Sequence, residues 1–268
     1  MRSRETETRL RFMRLAVLRG LSVLAVSPVA LVSVSGADLP SRPLSSSVRE
    51  ADDYYLGRHM PANVRKGLQI LRAAAAGNPR DYEVWWRISK LTCYLARHTE
   101  KPEKLKLLEE GVAAGKRAVQ LAPRRVEGHF WLGANFGLTA ETRGMLRGLF
   151  LVDDIRKEME TVVELNPDYE QAAGLRTLAR VYYRAPFFKG GDKRRSIDLL
   201  EKCLTLFPEN SLTMLYLADS YLALGLREEA RKQLEKILAL CPDPQYGPEL
   251  AENQAEARAR LARHFRAG

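Results

Sequence analysis

The chain has 268 residues, of which 46% are hydrophobic and 28% charged, and its 43 basic residues exceed its 33 acidic residues by ten. This composition excludes an intrinsically disordered chain and a polytopic membrane protein. Residues 1–37 contribute four of the ten excess positive charges, so the remainder carries a formal charge of +6. Because basic and acidic residues are interleaved along most of that remainder, the charge pattern does not predict nucleic-acid binding.

The amino-terminal segment has the order of features typical of a secretory signal peptide. Arginines crowd residues 1–14, an apolar run covers residues 15–34, and small residues end the segment at Ala37. We expect cleavage near Ala37, with an uncleaved anchor or a soluble arm as alternatives. Arg19 leaves an uninterrupted run shorter than the roughly 20 residues of a membrane span. The pattern predicts an exported, periplasmic or envelope-associated protein that contacts a membrane only through residues 1–37, if they are retained.

Residues 38–47 contain two prolines and four serines, which predicts a flexible lead-in to the folded domain. The three cysteines are Cys93, Cys203 and Cys241, so none lies in the first 90 residues and no lipid-attachment cysteine is expected. Their apolar helical surroundings predict three buried free thiols, with one disulfide bond as the alternative.

Regularly spaced prolines reveal an internal repeat. Each ends an amphipathic apolar run, and the spacings are 44, 44, 41 and 34 residues: Pro79, Pro123, Pro167, Pro208 and Pro242. Self-similarity near 34 residues, with a helix, a turn and a second helix in each unit, is typical of an α-solenoid. No segment shows a convincing strand period of two.

The segment after Pro208 shows the repeat most clearly. It places a large residue, a leucine, a small residue and an aromatic at helical spacing: Met214, Leu217, Ala218 and Tyr221. This pattern resembles the tetratricopeptide repeat. We therefore predict an all-α, tetratricopeptide-like α-solenoid of about four irregular helix–turn–helix repeats with a C-terminal capping helix.

The predicted single domain covers residues 48–268. Its repeat units span about 80–123, 124–167, 168–208 and 209–242, with the cap at 247–266. An additional helix over about 46–76 is expected to begin the stack.

A more specific resemblance rests on an insertion and on the C-terminal region. Residues 184–192 read Arg-Ala-Pro-Phe-Phe-Lys-Gly-Gly-Asp before a helix with Arg-Ser-Ile, and a proline-rich turn precedes the final Ala-rich helix. These features resemble the T-component of tripartite ATP-independent periplasmic (TRAP) transporters. The segments 85–87 and 163–167 are more distantly similar to the regulator of microtubule dynamics family. The first resemblance implies an exported, nonenzymatic helical protein that assembles with a periplasmic solute-binding component.

No catalytic or metal-binding pattern is evident. The four histidines lie at positions 59, 98, 129 and 264, and no two have metal-ligand spacing. No serine or cysteine nucleophile motif accompanies a nearby histidine. We therefore expect no enzyme activity, no cofactor and no metal.

The tetratricopeptide resemblance implies that the first helix of each unit lines a concave groove. Arg176, Arg180 and Arg184, spaced by four residues, would form a stripe suited to a carboxylate, and the alternative is a solvated helix face. Phe187 and Phe188 are a candidate loop lid, with a stapling role as the alternative. The predicted groove residues are Trp86, Lys90, Tyr94, Phe130, Arg176, Arg180, Tyr183, Arg184 and Asp219.

Two functions follow from these patterns. The first is an accessory of organic-acid (TRAP-type) transport that binds a periplasmic solute-binding component and passes a small apolar organic acid along its groove. The second is a general envelope scaffold that binds a peptide or helix of a partner protein.

Overall fold

The structure, a computed structural model, describes residues 43–242 and 246–265, with Met145 described by its backbone alone. The predicted signal peptide and the first half of the predicted lead-in, residues 38–42, lie outside the described residues. Those residues form helices, turns and loops and contain no strand, which confirms the all-α solenoid with its C-terminal capping helix. The helices are α1 (Ser46–Leu56), α2 (Pro61–Gly77), α3 (Tyr82–Arg97), α4 (Glu103–Leu121), α5 (Val126–Arg143), α6 (Met145–Gly148), α7 (Val152–Leu165), α8 (Tyr169–Arg184), α9 (Lys193–Leu206), α10 (Ser211–Ala223), α11 (Arg227–Ala239) and α12 (Gly247–His264).

The helices form antiparallel neighbours along the chain. The pairs are α1 with α2, α3 with α4, α5 with α7, α8 with α9, and α10 with α11, and α12 packs on the last pair. The first helices of successive pairs also contact one another, for example α3 with α5 and α5 with α8. These two sets of contacts produce two layers, in which the first helices form one wall of the stack.

The sequence-based expectation of one helix over about 46–76 was wrong. The structure contains two helices there, with a turn between Leu56 and Pro61. Gly57 caps the first helix through its backbone N–H to Tyr54, and Pro61 occupies the first position of the second helix. Proline is favourable at that position because its missing N–H would have no helical partner. The domain therefore begins with a complete helix pair.

Side-chain caps define several helix starts. The side chains of Ser45, Asp81, Asp192 and Asn210 accept hydrogen bonds from backbone N–H groups in the first turns of α1, α3, α9 and α10. Such caps satisfy donors that have no partner within the helix and typically stabilise it by about 1 kcal/mol. They fix the points at which loops become helices between repeats.

The core runs through the whole stack as connected clusters of buried apolar side chains. One cluster joins α1 to α4, and others join α5 to α8 and α8 to α12. Fully buried small residues, such as Ala118 and Ala218, allow helices to approach closely while leucines fill the spaces between them. No described helix is both long enough and apolar enough to cross a membrane.

The prediction of three buried thiols was right for two cysteines and wrong for the third. Cys93 and Cys203 are buried, whereas Cys241 is exposed. Cys241 lies just after α11, where the chain has left the helical core, so the apolar run before it does not cover its side chain. All three are free thiols.

We predict that two glycine substitutions will have opposite effects on stability. A Cβ on Gly115 would lie 2.9 Å from the Cα and Cβ atoms of Leu132, whereas a Cβ on Gly137 would meet nothing within 4 Å. Gly115→Ala should lower the free energy of unfolding by about 1–3 kcal/mol through overpacking. Gly137→Ala should raise it by about 0.5–1 kcal/mol because glycine is unfavourable inside a helix. Urea unfolding measures both, and a neutral Gly115→Ala variant would contradict the close packing of α4 on α5.

Candidate binding groove

A groove of about 1320 Å³ lies along the wall formed by the first helices of the pairs. Its lining comes from α1, α3, α5 to α10 and α12, together with turns between these helices. Aromatic and charged residues of α1, α3, α5, α8 and α12 contribute to the surface. The groove is therefore built by the whole stack and not by a single repeat.

The two ends of the stack meet across the groove. Arg58, in the turn after α1, donates two hydrogen bonds of 2.7 Å to the carboxylate of Glu249 at the start of α12. His98, after α3, lies 2.9 Å from the carboxylate of Glu252. The Arg58 side chain is 7% exposed and that of Glu249 is 29% exposed, so this bidentate pair is well shielded from water. It links residues that are 191 positions apart in the chain.

The ion pair changes the protonation equilibrium of Glu249. Burial, the largest single influence, raises the pKa of this carboxyl group, but the Arg58 hydrogen bond, a hydrogen bond from the backbone of Glu249 and the charges of Arg58 and Arg97 together outweigh it, so that the pKa lies below its ordinary value. Arg58 is affected in the complementary direction, since its hydrogen bond to Glu249 raises the guanidinium pKa against the opposing effect of burial. Both partners are therefore charged at neutral pH.

The structure brings together most of the residues predicted for the groove. Those that line it are Lys90, Tyr94, Phe130, Arg176, Arg180, Tyr183 and Arg184. Trp86 and Asp219 do not line it but contact residues that do: Trp86 lies beside Lys90, and Asp219 accepts from Arg180. That these residues bind a ligand or partner stays a prediction.

Arg176 holds an unusual turn at the start of α8. Glu170, Gln171 and Ala172 have φ values of 49°, 56° and 58°, which is the left-handed conformation and costs about 1–2 kcal/mol for each residue other than glycine. The buried guanidinium of Arg176 donates to the carbonyl oxygens of Gln171 (2.8 Å) and Glu170 (3.3 Å). Burial lowers the pKa of Arg176 from its ordinary value. Two of its donors are thus used within the protein.

Arg180 also has a partner within the protein, the carboxylate of Asp219. Its guanidinium lies 2.9 Å from the carboxylate of Asp219, which accepts a second cation, Arg260 of α12, at 2.9 Å. The Arg180 guanidinium carbon also lies 4.8 Å from the Tyr183 ring centroid and 4.6 Å from that of Tyr216. This cluster joins α8, α10 and α12. Among the stripe residues, only Arg184 is exposed, with a loose contact of 3.9 Å to Glu141.

Lys90 is a groove cation with no such partner. Its ammonium lies 4.1 Å from the ring centroid of Tyr55, 5.6 Å from Trp131 and 6.0 Å from Trp86. Within the part of the chain that the structure describes, the ammonium forms no hydrogen bond or ion pair. Burial lowers the pKa of Lys90, and the distant charges of Glu170 and Asp52 only partly oppose this effect. The aromatic rings stabilise the cation by about 0.5–2 kcal/mol, but its three N–H donors stay available to a ligand.

Several groove residues were not identified from the sequence. These are Tyr55, Arg58, Arg97, Glu170, Tyr246 and Glu249. Tyr246 and Glu249 belong to the C-terminal cap and Arg58 to a turn, so the repeat pattern does not predict their direction. Glu170 faces the groove because the left-handed turn rotates it away from the ordinary helical position, and Tyr246 donates a hydrogen bond of 3.3 Å to its carboxylate.

The structure does not bring Phe187 and Phe188 to the groove wall. Both rings are exposed, at 86% and 67%, and they contact each other edge to face with centroids 5.7 Å apart. The lid role stays a prediction. Within residues 43–242 and 246–265, no group of three or more His, Cys, Asp or Glu side chains is arranged to hold a metal ion.

Comparisons with known proteins agree with this architecture. The family model described as regulator of microtubule dynamics protein 1-3 matches residues 47–183, and a tetratricopeptide repeat model matches residues 188–247. These matches support the more distant of the two family resemblances, and neither model is that of the T-component. No curated protein shows significant similarity to the chain.

Two solved structures have a similar fold. TTC0263, a thermophilic TPR protein in Thermus thermophilus, is 23% identical, with a TM-score of 0.56, over 81% of this chain and 96% of that chain. PilW, a widely conserved type IV pilus biogenesis factor, is 15% identical, with a TM-score of 0.53, over 82% of this chain and 92% of that chain. At these identities the likeness concerns the fold alone.

We predict that Glu249→Gln will lower the free energy of unfolding by roughly 1.5–3 kcal/mol at neutral pH, since it replaces the charged acceptor of two hydrogen bonds from the shielded Arg58 by a neutral amide. Because folding lowers the pKa of Glu249, its stabilising effect is complete above the ordinary glutamate pKa of about 4.3 and disappears as the pH falls through the lowered value. The difference between wild type and variant should therefore shrink at acidic pH, as measured by urea unfolding.

Glu235→Gln is the matched control, because Glu235 forms an exposed ion pair with Arg231 at 2.9 Å. Its effect should stay below about 1 kcal/mol. Equal effects of the two substitutions would contradict a stabilising contact between the ends of the stack.

Proposed function

This chain belongs to the regulator of microtubule dynamics protein 1-3 family, and on that premise we propose that it is a noncatalytic binding protein whose groove receives an acidic, partly apolar segment of another protein. The tetratricopeptide fold is that of a protein–protein interaction scaffold, and proteins with this fold generally use a concave surface for binding. The assignment as a protein-binding scaffold follows from the fold, whereas the acidic and partly apolar character of the bound segment is inferred from the groove residues.

The observation that carries the proposal is the free ammonium of Lys90. Cations shielded from water in folded proteins normally have a hydrogen-bonded anionic partner. Arg58 and Arg180 follow this rule through Glu249 and Asp219, and Arg176 is held by neutral backbone carbonyls. Lys90 has aromatic rings around it but no anion in direct contact among the described residues. A carboxylate of a bound segment would supply that anion.

The surroundings of Lys90 favour an apolar side chain beside the carboxylate. Tyr55, Phe130 and Trp131 line the same part of the groove. Aromatic surfaces bind apolar groups and also support nearby cations. The groove thus combines a cationic donor with an apolar wall.

The size of the groove favours a segment of a protein over a small molecule. Its volume is about 1320 Å³, whereas small-molecule sites usually enclose about 300–1,000 Å³. The lining also extends across nine of the described helices. An extended peptide or a short helix would fill more of this space than a small acid.

The proposal predicts the outcome of a peptide-display selection against the full chain. Selected peptides should place Asp or Glu beside Phe, Leu or Trp, and Lys90→Glu should weaken their binding by roughly 10- to 100-fold, the effect of one charge-assisted hydrogen bond. Lys232→Glu is the matched control, because Lys232 is exposed on α11 away from the groove. It should leave the affinity unchanged. Selection of peptides without acidic residues, or equal binding by both variants, would contradict the proposal.

We propose more specifically that the protein lies outside the cytoplasm and binds a TRAP-type solute-binding component. Its groove would then accept a small apolar organic acid. The signal-like pattern of residues 1–37 and the T-component resemblance of residues 184–192 support it. A general envelope scaffold is the alternative, and the size of the groove favours that alternative.

A thermal-shift measurement distinguishes binding of a small organic acid from binding of a peptide. If small organic acids are ligands, they should raise the melting temperature of wild type, and the increase should disappear in Lys90→Gln. An unchanged melting temperature at millimolar acid would contradict the small-ligand form and leave peptide binding as the function.

A further inference from the structure

Four large apolar side chains are exposed in two segments that adjoin the groove, one made of the short α6 and the turn after it, the other the loop after α8. Leu146 and Phe150, which follow α5, are 79% and 84% exposed, and Phe187 and Phe188, which follow α8, are exposed to a similar degree. Leu149 and Ala185, their neighbours in sequence, line the groove. The exposed side chains therefore lie at the groove rim. Together we call residues 144–151 and 185–190 the rim loops.

Specific contacts hold the second rim loop against α7, the helix that directly follows the first rim loop. The ammonium of Lys189 lies 2.9 Å from the carboxylate of Asp153, near the start of α7. Arg156, one turn further along α7, donates a hydrogen bond of 2.9 Å to the carbonyl oxygen of Lys189. The second loop is also closed on itself, since the backbone N–H of Gly191 donates to the carbonyl oxygen of Pro186. The exposed rings are thus presented by an ordered loop.

The surface around the rim loops is strongly basic. Residues 139–151 and 184–195 contain seven basic and two acidic residues, a formal excess of +5, which is half of the excess of the whole chain. Arg147, Lys193 and Arg194 are exposed and form no side-chain ion pair among the described residues. One of the two acidic residues, Asp192, accepts two backbone hydrogen bonds as the cap of α9. Arg147, Lys193 and Arg194 therefore face solvent without local neutralisation, whereas Lys189, Arg143 and Arg184 each have a carboxylate within 4 Å.

We propose that the rim loops dock the protein on an anionic lipid surface. Exposed Phe and Leu side chains surrounded by Lys and Arg are the combination that enters the headgroup region of a bilayer, where the rings leave water and the cations meet lipid phosphates. A protein partner would need an apolar pocket of matching shape with acidic residues at its edges. An anionic bilayer offers an apolar interior and negative charge without any requirement of shape. This charge complementarity selects the lipid surface as the occupant.

The proposed docking is separate from peptide binding in the groove and differs from the expectation that a membrane is contacted only through residues 1–37. Neither Phe187 nor Phe188 lines the groove, and neither do Arg147 and Arg194. Loss of docking would therefore leave peptide binding at Lys90 intact. Loss of peptide binding would likewise leave docking intact.

Vesicle cosedimentation of the full chain tests the proposal. Binding to phosphatidylcholine vesicles that contain phosphatidylglycerol should exceed binding to phosphatidylcholine alone and should decrease with salt. The variants Phe187→Ser with Phe188→Ser, and Arg147→Gln with Arg194→Gln, should each weaken binding roughly tenfold, the loss expected when two of several such contacts are removed. Circular dichroism verifies that each variant is folded.

Matched controls remove similar groups elsewhere. Met60→Ser with Leu206→Ser removes two exposed apolar side chains, and Lys232→Gln with Lys236→Gln removes two exposed cations, all outside the rim loops. Both controls should bind vesicles as the wild type does. Equal losses in the controls and in the rim-loop variants would overturn the proposal.

A local probe separates the rim loops from any contribution of residues 1–37. Phe187→Trp places an indole on the second loop, and vesicles of brominated phosphatidylglycerol should quench the additional fluorescence relative to wild type. Absence of quenching while the chain cosediments would overturn the proposal. If Phe187→Ser with Phe188→Ser changed self-association and left vesicle binding unchanged, lipid docking would be overturned. The exposed rings would then contact a second copy of the chain.

Discussion

The bidentate ion pair between Arg58 and Glu249 determines what kind of site the stack encloses. In a solenoid each repeat packs on its neighbours, so the packing of repeats does not by itself connect the first pair to the last. Here two hydrogen bonds of 2.7 Å make that connection, and the contact of His98 with Glu252 lies beside them. The groove is consequently bounded by the first turn and the last helix as well as by its walls. Its contents are more shielded than the open concave face of a repeat array would be.

The cations that line this closed groove fall into two groups, those bound to other parts of the protein and those available to a ligand. Arg176 stabilises a left-handed turn by binding its carbonyl oxygens, and Arg180 joins α8 to α10 and α12 through Asp219. These cations maintain the shape of the groove, although each keeps further N–H donors, among them the buried Nε of Arg180, which has no hydrogen-bond partner among the described residues. Lys90 differs because aromatic rings and no anion surround its ammonium. A carboxylate that enters the groove can therefore pair with Lys90, and Arg97 is a second lining cation without a hydrogen bond or ion pair among the described residues.

The sequence predicted the repeat architecture because proline spacing and helical periodicity are local properties of the chain. The first helices of the units around Lys90, Phe130 and Arg180 line the groove, as the tetratricopeptide pattern indicated. The partners of the arginines were not predictable, since the Arg58–Glu249 pair spans 191 residues and the turn at Glu170 departs from helical geometry without glycine. The break between α1 and α2 was missed because only Gly57 and Pro61 mark it within a helix-like pattern. The exposed state of Cys241 depends on where α11 ends, a boundary that sequence patterns locate poorly.

A distance measurement across the ends of the stack tests the enclosed groove most directly. With Cys241 replaced by Ser, Met60→Cys and Ala255→Cys provide two exposed sites for spin labels, while the buried thiols of Cys93 and Cys203 stay unlabelled. Electron–electron double resonance at neutral pH should give one narrow distance distribution when Glu249 is present and a longer, broader one in Glu249→Gln. A broad distribution with Glu249 intact, unchanged by the substitution, would contradict the closure of the groove by the Arg58–Glu249 pair.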